Sequence, residues 1–325
     1  MDHVTVPSPT PASDSFTHVA APFGSDREYL ALVLPRVRAA LTAGENVLVI
    51  TGQERLALLR EGLGRDAGAI DATPADRWYD HPARALNAVL DYAKERRDRR
   101  VLLIGDQRWQ DRTTRETREW IRYESIANRV LATVHGTGLC LYDRRTTPPE
   151  VMAAMYRTHP YSLTPHPATA SDPPRRNNGY VPPESMLLEG DDKPFDDPPV
   201  WSEAIAFALP TLKRLRDFVA TRARRAGMPG ERVSALILCV AEIAANAVEH
   251  GGGRGVASIW EDDDEIICEI CDPGGTLQDS HPGYLPPPEG SPRGYGLWLT
   301  RQTCDLMEIR ATQGVTKVRL HMKLP

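Results

Sequence analysis

Two polar side chains on one predicted helix are the first candidates for chemistry in this sequence. Residues 231–250 carry apolar side chains at helical spacing, and Glu242 and Asn246 lie four positions apart on a second face. An amide oxygen can coordinate Mg²⁺ beside substrate phosphates, and a carboxylate can orient or deprotonate an attacking hydroxyl. Taken alone, such a pair is more often a polar helix face in water, so the residues that follow decide its meaning.

A carboxylate at the end of a predicted strand is the next candidate. Asp272 comes directly after the apolar run 265–271, and the chain continues with Pro273, Gly274 and Gly275. A carboxylate in this position can accept a hydrogen bond from an adenine amino group. Glycine beside it lets the backbone approach a flat base closely.

Two glycines farther along the chain complete the candidates. A loop rich in proline and glycine, 273–293, leads to Gly294 and Gly296, which open a predicted helix at 297–304. The unpaired amides at the N-terminus of a helix suit phosphate oxygens.

The elements that position these groups follow from the apolar periodicity. The second half of the chain predicts one or two helices over 202–226, with a boundary near Pro210, and the helix at 231–250, which is ended by three glycines after His250. Strand patterns follow at 256–260, 265–271, 306–312 and 315–324.

This ordered set resembles the GHKL ATPase superfamily of gyrase-type, chaperone, histidine-kinase and mismatch-repair ATP domains. The set is E-x-x-x-N, D-x-G, a loop, G-x-G-L and a β-hairpin containing a threonine. Two segments, LKRLRDFVATRARRAGMPGERVSALILCVAEIAANAVEHG and RGYGLWLTRQTCDLMEIRATQGVTKVRLHM, resemble the anti-sigma-factor serine kinases in particular.

The resemblance implies ATP or ADP with Mg²⁺ as the ligands and a role for each matching position. Residues 276–293 are expected to form the ATP lid. The implied roles are Mg²⁺ coordination by Asn246, the catalytic carboxylate at Glu242, adenine contact by Asp272, shaping of that pocket by Gly274, a phosphate-side box at Gly294, Gly296 and Leu297, and support of Asp272 by Thr316. The family's first glycine box is D-x-G-x-G, whereas here the second glycine is displaced by one position, to Gly275.

The first half of the chain alternates helix and strand patterns, which predicts an α/β domain with a mainly parallel sheet. Pro35 is expected to kink the first helix or to mark its boundary. Neither a P-loop nor a dinucleotide glycine motif occurs in residues 1–160. Helix patterns lie at 26–42, 54–64, 81–99, 113–132 and 148–160, and strand patterns at 46–51, 69–73, 100–106 and 138–144.

Two segments of this half, RYESIANRV at 122–130 and LCLYDRRTTPPEVMAAMYRTHP at 139–160, resemble the end of a MEDS domain. That family is a sensory module with a degenerate RecA-like fold, so the resemblance implies signal input. His18, near the first strand, fits the usual start of such domains. Tyr123, Glu124, Asn128 and His159 match the family pattern, although polar side chains near element ends more often hold loops in place.

The expected fold class is α/β. An N-terminal degenerate RecA-like parallel-sheet domain precedes a C-terminal GHKL α/β sandwich, with helices on one face of a mixed sheet. The expected domains are a disordered leader at 1–15, a MEDS-like sensory domain at 16–164, a proline-rich linker at 165–199 and an ATP-binding domain at 200–325.

Composition and charge exclude several classes of protein. The chain is 41% apolar and 26% charged, which is typical of a soluble globular protein, and its formal net charge of -5 argues against a general nucleic-acid binder. No signal peptide and no membrane span are expected. Five scattered cysteines indicate a reducing cytoplasm, and Cys268 and Cys271 share one predicted strand, where a structural role is expected.

Three functions are compatible with these observations. The first is a cytoplasmic serine/threonine-protein kinase and anti-sigma factor that acts on a sigma factor or on its antagonist protein. Its N-terminal domain would supply sensory input. Related kinase domains often form homodimers, so a homodimer is possible here. The second is a catalytically weak or inactive regulator that sequesters a partner. The third, a sensor histidine kinase, is disfavoured because residues 201–249 contain no histidine.

Overall fold

The computed structural model describes residues 15–164, 173–188, 191–275, 279, 281–288, 290–291, 293–312 and 314–325. The chain divides into two compact units, Met1–Met186 and Leu187–Pro325. The division falls inside the segment predicted as a linker, whose residues 165–172 and 189–190 lie outside the described part. The predicted leader also lies outside it, apart from Ser15.

A parallel sheet forms the centre of the N-terminal unit. Within the described residues its strands lie in the order β3-β2-β4-β5-β1-β6-β7, and every neighbouring pair is parallel except β6 and β7. These strands are β1 (Thr17–Phe23), β2 (Asn46–Thr51), β3 (Asp71–Pro74), β4 (Val101–Gly105), β5 (Gly136–Asp143), β6 (Tyr161–Ser162) and β7 (Arg175–Arg176).

Helices connect these strands in alternation, as the sequence predicts. The first helix is capped by Ser25, whose hydroxyl accepts a hydrogen bond from the backbone amide of Glu28. This helix continues past Pro35 and ends at Thr42. The fifth begins with a capping box between Thr113 and Glu116. The helices are α1 (Asp26–Thr42), α2 (Gln53–Leu63), α3 (Ala75–Trp78), α4 (Pro82–Glu95), α5 (Thr114–Val130) and α6 (Pro149–Thr158).

An antiparallel sheet forms the C-terminal unit. Its strands in the described residues are β8 (Glu203–Ala208), β9 (Arg254–Asp262), β10 (Glu265–Asp272), β11 (Leu306–Thr312) and β12 (Val315–Lys323), and its helices are α7 (Leu212–Arg225), α8 (Gly230–His250) and α9 (Tyr295–Thr303). The strand order is β11-β12-β10-β9-β8. The two-domain α/β class is confirmed, but each pairing in this sheet is antiparallel, so the sheet is not the mixed one expected.

One helix prediction in this unit is wrong over its first part. Residues 203–208 form β8, which pairs with β9, and the helix begins only at Leu212. The segment EAIAFA has a period-two alternation in which Phe207 is buried in the core and Ile205 packs against it. The pairing with β9 therefore outweighs the helix propensity of its alanines.

The helix α8 packs its apolar side chains onto the sheet. Leu236, Val240 and Ala244 are fully buried, and they belong to one core with Cys268 of β10 and Leu320 of β12. By length and composition α8 could also span a bilayer, although 39% of its most apolar window is buried inside this unit. An apolar face packed on a sheet is the ordinary reason for such a composition in a folded domain.

The opposite face of the sheet carries charge and is covered by the segment before β8. The buried Glu269 carboxylate accepts a hydrogen bond from Arg319 at 2.8 Å. The guanidinium groups of Arg319 and Arg310 lie 4.4 and 4.9 Å from the ring centroid of Phe195. Asp191 pairs with Arg310 at 3.4 Å. Residues 191–196 thus pack on this sheet as part of the C-terminal unit.

Replacing Leu236 by alanine tests the role of α8 in this core. We expect Leu236→Ala to lower the free energy of opening of α8 by about 2–5 kcal/mol, because a fully buried leucine leaves a cavity. The measurement is hydrogen exchange of the α8 amides in the full chain, read by mass spectrometry. The matched control is Leu238→Ala on the same helix, where the side chain is 40% exposed. Equal effects of the two changes would contradict the packing described.

Candidate functional site

A cleft of about 650 Å³ opens between α8, the ends of β10 and β12, and the start of α9. This volume lies within the usual range for small-molecule sites. The side chains or backbone of most residues singled out in the sequence line it. These are Glu242, Asn246, Asp272, Gly294, Gly296, Leu297 and Thr316. Gly274 does not line the cleft but lies against its wall, beside Gly252.

The Asp272 carboxylate is held by backbone amides from two directions. Its Oδ1 accepts hydrogen bonds from the amides of Gly252 and Gly274, at 2.9 and 3.0 Å. The residue is only 7% exposed. Among the described residues Oδ2 has no hydrogen-bond partner, so this oxygen remains available to a group that enters the cleft. A fixed carboxylate with one open acceptor is suited to recognising an amino group.

Glycines line the wall around this carboxylate because no side chain would fit there. A Cβ on Gly251 would lie 1.7 Å from Asp272 Oδ2, and one on Gly275 would lie 2.6 Å from the same atom. A Cβ on Gly274 would lie 2.6 Å from the Cα of Gly252. The end of α8 and the end of β10 therefore meet backbone to backbone.

Thr316 lies opposite Asp272 in the pairing of β10 with β12, on the neighbouring strand that the family resemblance implied. Its hydroxyl, however, donates a hydrogen bond to the Gly275 carbonyl at 3.0 Å. In this structure Thr316 thus supports the turn after β10 rather than the carboxylate of Asp272 itself. The glycine at position 275, which departs from the family pattern, occupies the space beside this threonine, since a Cβ there would lie 2.8 Å from the Thr316 hydroxyl oxygen.

The polar face of α8 lies against the start of α9. A Cβ on Gly296 would lie 2.7 Å from Glu242 Oε2 and 3.6 Å from Asn246 Nδ2, so both side chains reach the same point on α9. Both are partly exposed to the cleft. A Cβ at position 296 would require the Glu242 carboxylate to move from its place in the cleft.

The start of α9 supplies backbone amides to the same cleft. Gly294 caps the helix with φ of 97°, a conformation that favours glycine. The first residues of the helix, Tyr295, Gly296 and Leu297, line the cleft. The first amides of a helix lack partners within it and attract anions.

The predicted lid, 276–293, lies partly outside the described residues. In the described part, Tyr284 is buried and its ring lies 4.0 Å from the Arg301 guanidinium of α9. The same arginine donates a hydrogen bond from Nε to the Pro282 carbonyl at 2.9 Å. Gly283, with φ of 79°, passes close to the Leu297 backbone. Residues 282–284 are therefore tied to α9.

The thiols near the cleft are unsuited to nucleophilic chemistry. Burial raises the pKa values of Cys239 and Cys268 to about 12, and it raises the pKa of Cys304 as well. A protonated thiol is a poor nucleophile. The five cysteines of the chain are all described, and none of them forms a disulfide.

Two residues of the site were missed by the sequence reasoning. Gly251 and Gly252 were assigned to the end of α8, where glycine is common. In the structure the left-handed residue of this turn is Gly253, with φ of 74°, while Gly251 and Gly252 form the wall beside Asp272. The run of three glycines was the available signal, because ending a helix needs only one.

Comparison with known families divides the chain as its two units do. Residues 17–160 match the family model described as MEDS, the methanogen/methylotroph, DcmR sensory domain. Residues 205–322 match the model described as a histidine kinase-like ATPase domain. The chain thus carries a MEDS domain followed by a GHKL-like ATPase domain, which confirms both family resemblances.

Among solved structures, the RsbU and RsbW domains of Rv1364c from Mycobacterium tuberculosis are similar to this chain, with 16% sequence identity and a TM-score of 0.29. The similarity covers 39% of this chain and 32% of that one, so it spans about a third of the matched protein. No curated protein matches the chain.

The close approach of Gly251 to Asp272 generates a prediction for nucleotide binding. We expect Gly251→Ala to weaken ADP binding by at least about tenfold, a loss of about 1.4 kcal/mol, because the added methyl group displaces the carboxylate. Calorimetric titration with ADP and Mg²⁺ measures the change. Gly230→Ala is the matched control, since a Cβ there meets no atom within 4 Å. Unchanged ADP affinity in a folded Gly251→Ala variant would contradict the assignment of this wall.

Proposed function

We propose that this chain, which carries a MEDS sensory domain followed by a histidine kinase-like ATPase domain, is a signalling regulator that phosphorylates or sequesters a protein partner of the anti-sigma-factor system. The observation that carries the proposal is the convergence of Glu242, Asn246, Asp272 and the start of α9 on one cleft. These groups come from three separate segments, and they suit different parts of a nucleotide with its cation: the base, the phosphates and Mg²⁺.

The residues of the cleft fit a purine nucleotide with Mg²⁺. Asp272 offers one open carboxylate oxygen to an adenine amino group, in a wall made flat by glycine. Asn246 offers an amide oxygen to the cation, which prefers oxygen ligands and keeps several waters. The amides at the start of α9 offer partners for phosphate oxygens. When bound, Mg-ATP supplies the phosphoryl group for transfer.

The residues of α8 are placed to act on the acceptor. Glu242 lies one helical turn before Asn246 on the same face, and it reaches Gly296 at the start of α9. In the proposed mechanism its carboxylate orients the acceptor serine hydroxyl and takes up its proton. Positioning and electrostatic stabilisation supply most of the catalysis in such transfers, so small displacements of α8 would reduce the rate strongly.

The partner and the setting belong to the same proposal. The resemblance of residues 212–251 and 293–322 to anti-sigma-factor serine kinases points to a sigma factor or its antagonist as the partner, and the MEDS domain supplies the signal. The formal net charge of -5 makes a protein partner more suitable than nucleic acid. Free cysteines agree with a cytoplasmic location.

A second candidate function is a regulator that binds its partner without phosphorylating it. The observation that favours it is the hydrogen bond from Thr316 to the Gly275 carbonyl, which uses the one proton of the threonine hydroxyl and leaves none to donate to a bound base. A pocket with one polar partner fewer holds adenine less tightly.

The role of Asn246 distinguishes these functions. We expect Asn246→Ala to abolish transfer of phosphate from Mg-ATP to a serine of the partner, because the variant loses a ligand of the cation. The measurement is mass spectrometry of candidate antagonist proteins after incubation with Mg-ATP. Asn87→Ala, which removes an amide that bonds Asp91 on the surface of α4, should leave transfer unchanged. Tight partner binding with neither nucleotide uptake nor transfer in the parent chain would favour the second function.

Glu242 should separate catalysis from binding. We expect Glu242→Gln to slow phosphoryl transfer by about 10²–10⁴-fold, the usual contribution of a positioned acid–base group. ADP affinity should change little, since the amide keeps the size of the side chain. Transfer rates and calorimetric ADP affinities of the same preparation provide the comparison. A variant that transfers phosphate at the parent rate would exclude Glu242 as the catalytic carboxylate.

A further inference from the structure

A cluster of four potential metal ligands lies inside the N-terminal unit, apart from the nucleotide cleft. His18, Glu124, Cys140 and His159 each place one ligand atom within 4.8 Å of the others. His18, Glu124 and His159 are buried, and Cys140 is partly exposed. Burying a polar group in a protein interior has a desolvation cost. A buried cluster of two imidazoles, a thiol and a carboxylate therefore suggests an interaction that offsets this cost for all four groups.

The fold brings these side chains together from four segments. His18 lies on β1 and Cys140 on the adjacent parallel strand β5, where the partner of Cys140 is Ala20, two residues from His18. Glu124 lies on α5. His159 directly follows α6, before the chain enters β6. The convergence therefore depends on the whole sheet and both helices, not on a local motif.

Hydrogen bonds set the tautomer of His159. Its Nδ1 lies 3.0 Å from the Met155 carbonyl, which can only accept, and 2.9 Å from the Thr158 hydroxyl, which donates to the Ala154 carbonyl and can accept in turn. These contacts assign the ring proton to Nδ1. The lone pair is then on Nε2, which lies 3.5 Å from Glu124 Oε2.

Asn128 sets the tautomer of His18 in the same way. The Asn128 amide nitrogen donates to the carbonyls of Ser125 and Thr158, at 2.9 and 2.8 Å. Its Oδ1 therefore faces His18 Nδ1, 3.2 Å away, and accepts the ring proton. The Nε2 lone pair of His18 consequently points toward Cys140 and Glu124. Metal-binding histidines commonly have this outer hydrogen bond from the other ring nitrogen.

Three of the six distances among the four ligand atoms are close to those of tetrahedral coordination, and all six are within 4.8 Å. Ligands about 2.0–2.3 Å from a Zn²⁺ ion are roughly 3.3–3.8 Å from one another. Here His18 Nε2 and Glu124 Oε2 are 3.4 Å apart, and His159 Nε2 and Glu124 Oε2 are 3.5 Å apart. The His18 Nε2 to Cys140 Sγ distance is 3.1 Å. Within the described residues, Glu124 Oε2 and His159 Nε2 are buried without a hydrogen-bond partner.

We propose that His18, Glu124, Cys140 and His159 form a binding site for one Zn²⁺ ion in the N-terminal unit. The donor set of two imidazoles, a thiolate and a carboxylate suits Zn²⁺, whereas Mg²⁺ and Ca²⁺ require mainly oxygen ligands. Binding displaces the thiol proton of Cys140 to solvent and forms the metal–sulfur bond. Because the ligands come from β1, α5, β5 and the end of α6, the ion links these elements and stabilises them.

Metal content and cobalt substitution of the full-length, untagged chain test this site. We expect one zinc per chain by elemental analysis. We also expect Co²⁺ added to the metal-free protein to give an intense thiolate-to-metal absorption band and tetrahedral d–d bands. In Cys140→Ser the thiolate band should be lost, whereas Cys271→Ser, a change in the other unit, should keep it. Zinc should raise the melting temperature of the parent chain, and a chelator should reverse this rise.

A second variant keeps the proposal testable if Cys140→Ser fails to fold. Glu124→Gln preserves the shape of the side chain but removes its charge, and we expect zinc affinity to fall by at least about tenfold, comparable to other changes around bound metals. A parent chain that takes up no stoichiometric zinc or cobalt would overturn the proposal. A cobalt spectrum without a thiolate band, or one unchanged in Cys140→Ser, would overturn it equally.

Discussion

The backbone contact between the end of α8 and the end of β10 is the constraint on which the nucleotide cleft depends. Gly251 and Gly252 approach Asp272 so closely that a single methyl group at position 251 would overlap the carboxylate. This close approach also lets the Gly252 amide donate a hydrogen bond to the same carboxylate. The apolar side of α8 is packed on the sheet, and this contact at its C-terminal end fixes the position of the helix along its own axis. The positions of Glu242 and Asn246 over the cleft follow from it.

The cleft lies where the apolar face of the sheet ends. Along β10 the side chains of Cys268 and Ile270 belong to the core under α8, and the next residue on that face is Asp272. The other face of the sheet carries charged side chains. There the buried Glu269 bonds Arg319, and Phe195 packs over the Arg319 guanidinium. Alternation in an antiparallel sheet separates these two environments over a single residue step. One short strand thereby contributes both to the packed core and to the candidate binding site.

The N-terminal unit holds a cluster of polar groups in its interior. The rings of His18 and His159 donate to Asn128 Oδ1 and to the Met155 carbonyl, and this leaves their other nitrogens facing Glu124 and Cys140. Such a network is stable only if its members are satisfied, which a shared cation can achieve.

Local spacing along the chain is enough to predict several features of this protein. Apolar periodicity predicted α8 and the strands around it, the family motifs identified both domains, and the four-residue spacing put Glu242 and Asn246 on one face. Packing between distant segments, in contrast, makes residues 203–208 a strand and brings Gly251 into the wall of the cleft. It alone directed the Thr316 hydroxyl to Gly275 and brought Cys140 beside His18. The physical reason is that covalent geometry sets which neighbours along one helix or strand share a face. Contacts between segments far apart in sequence depend on how whole elements pack, and no local pattern contains that information.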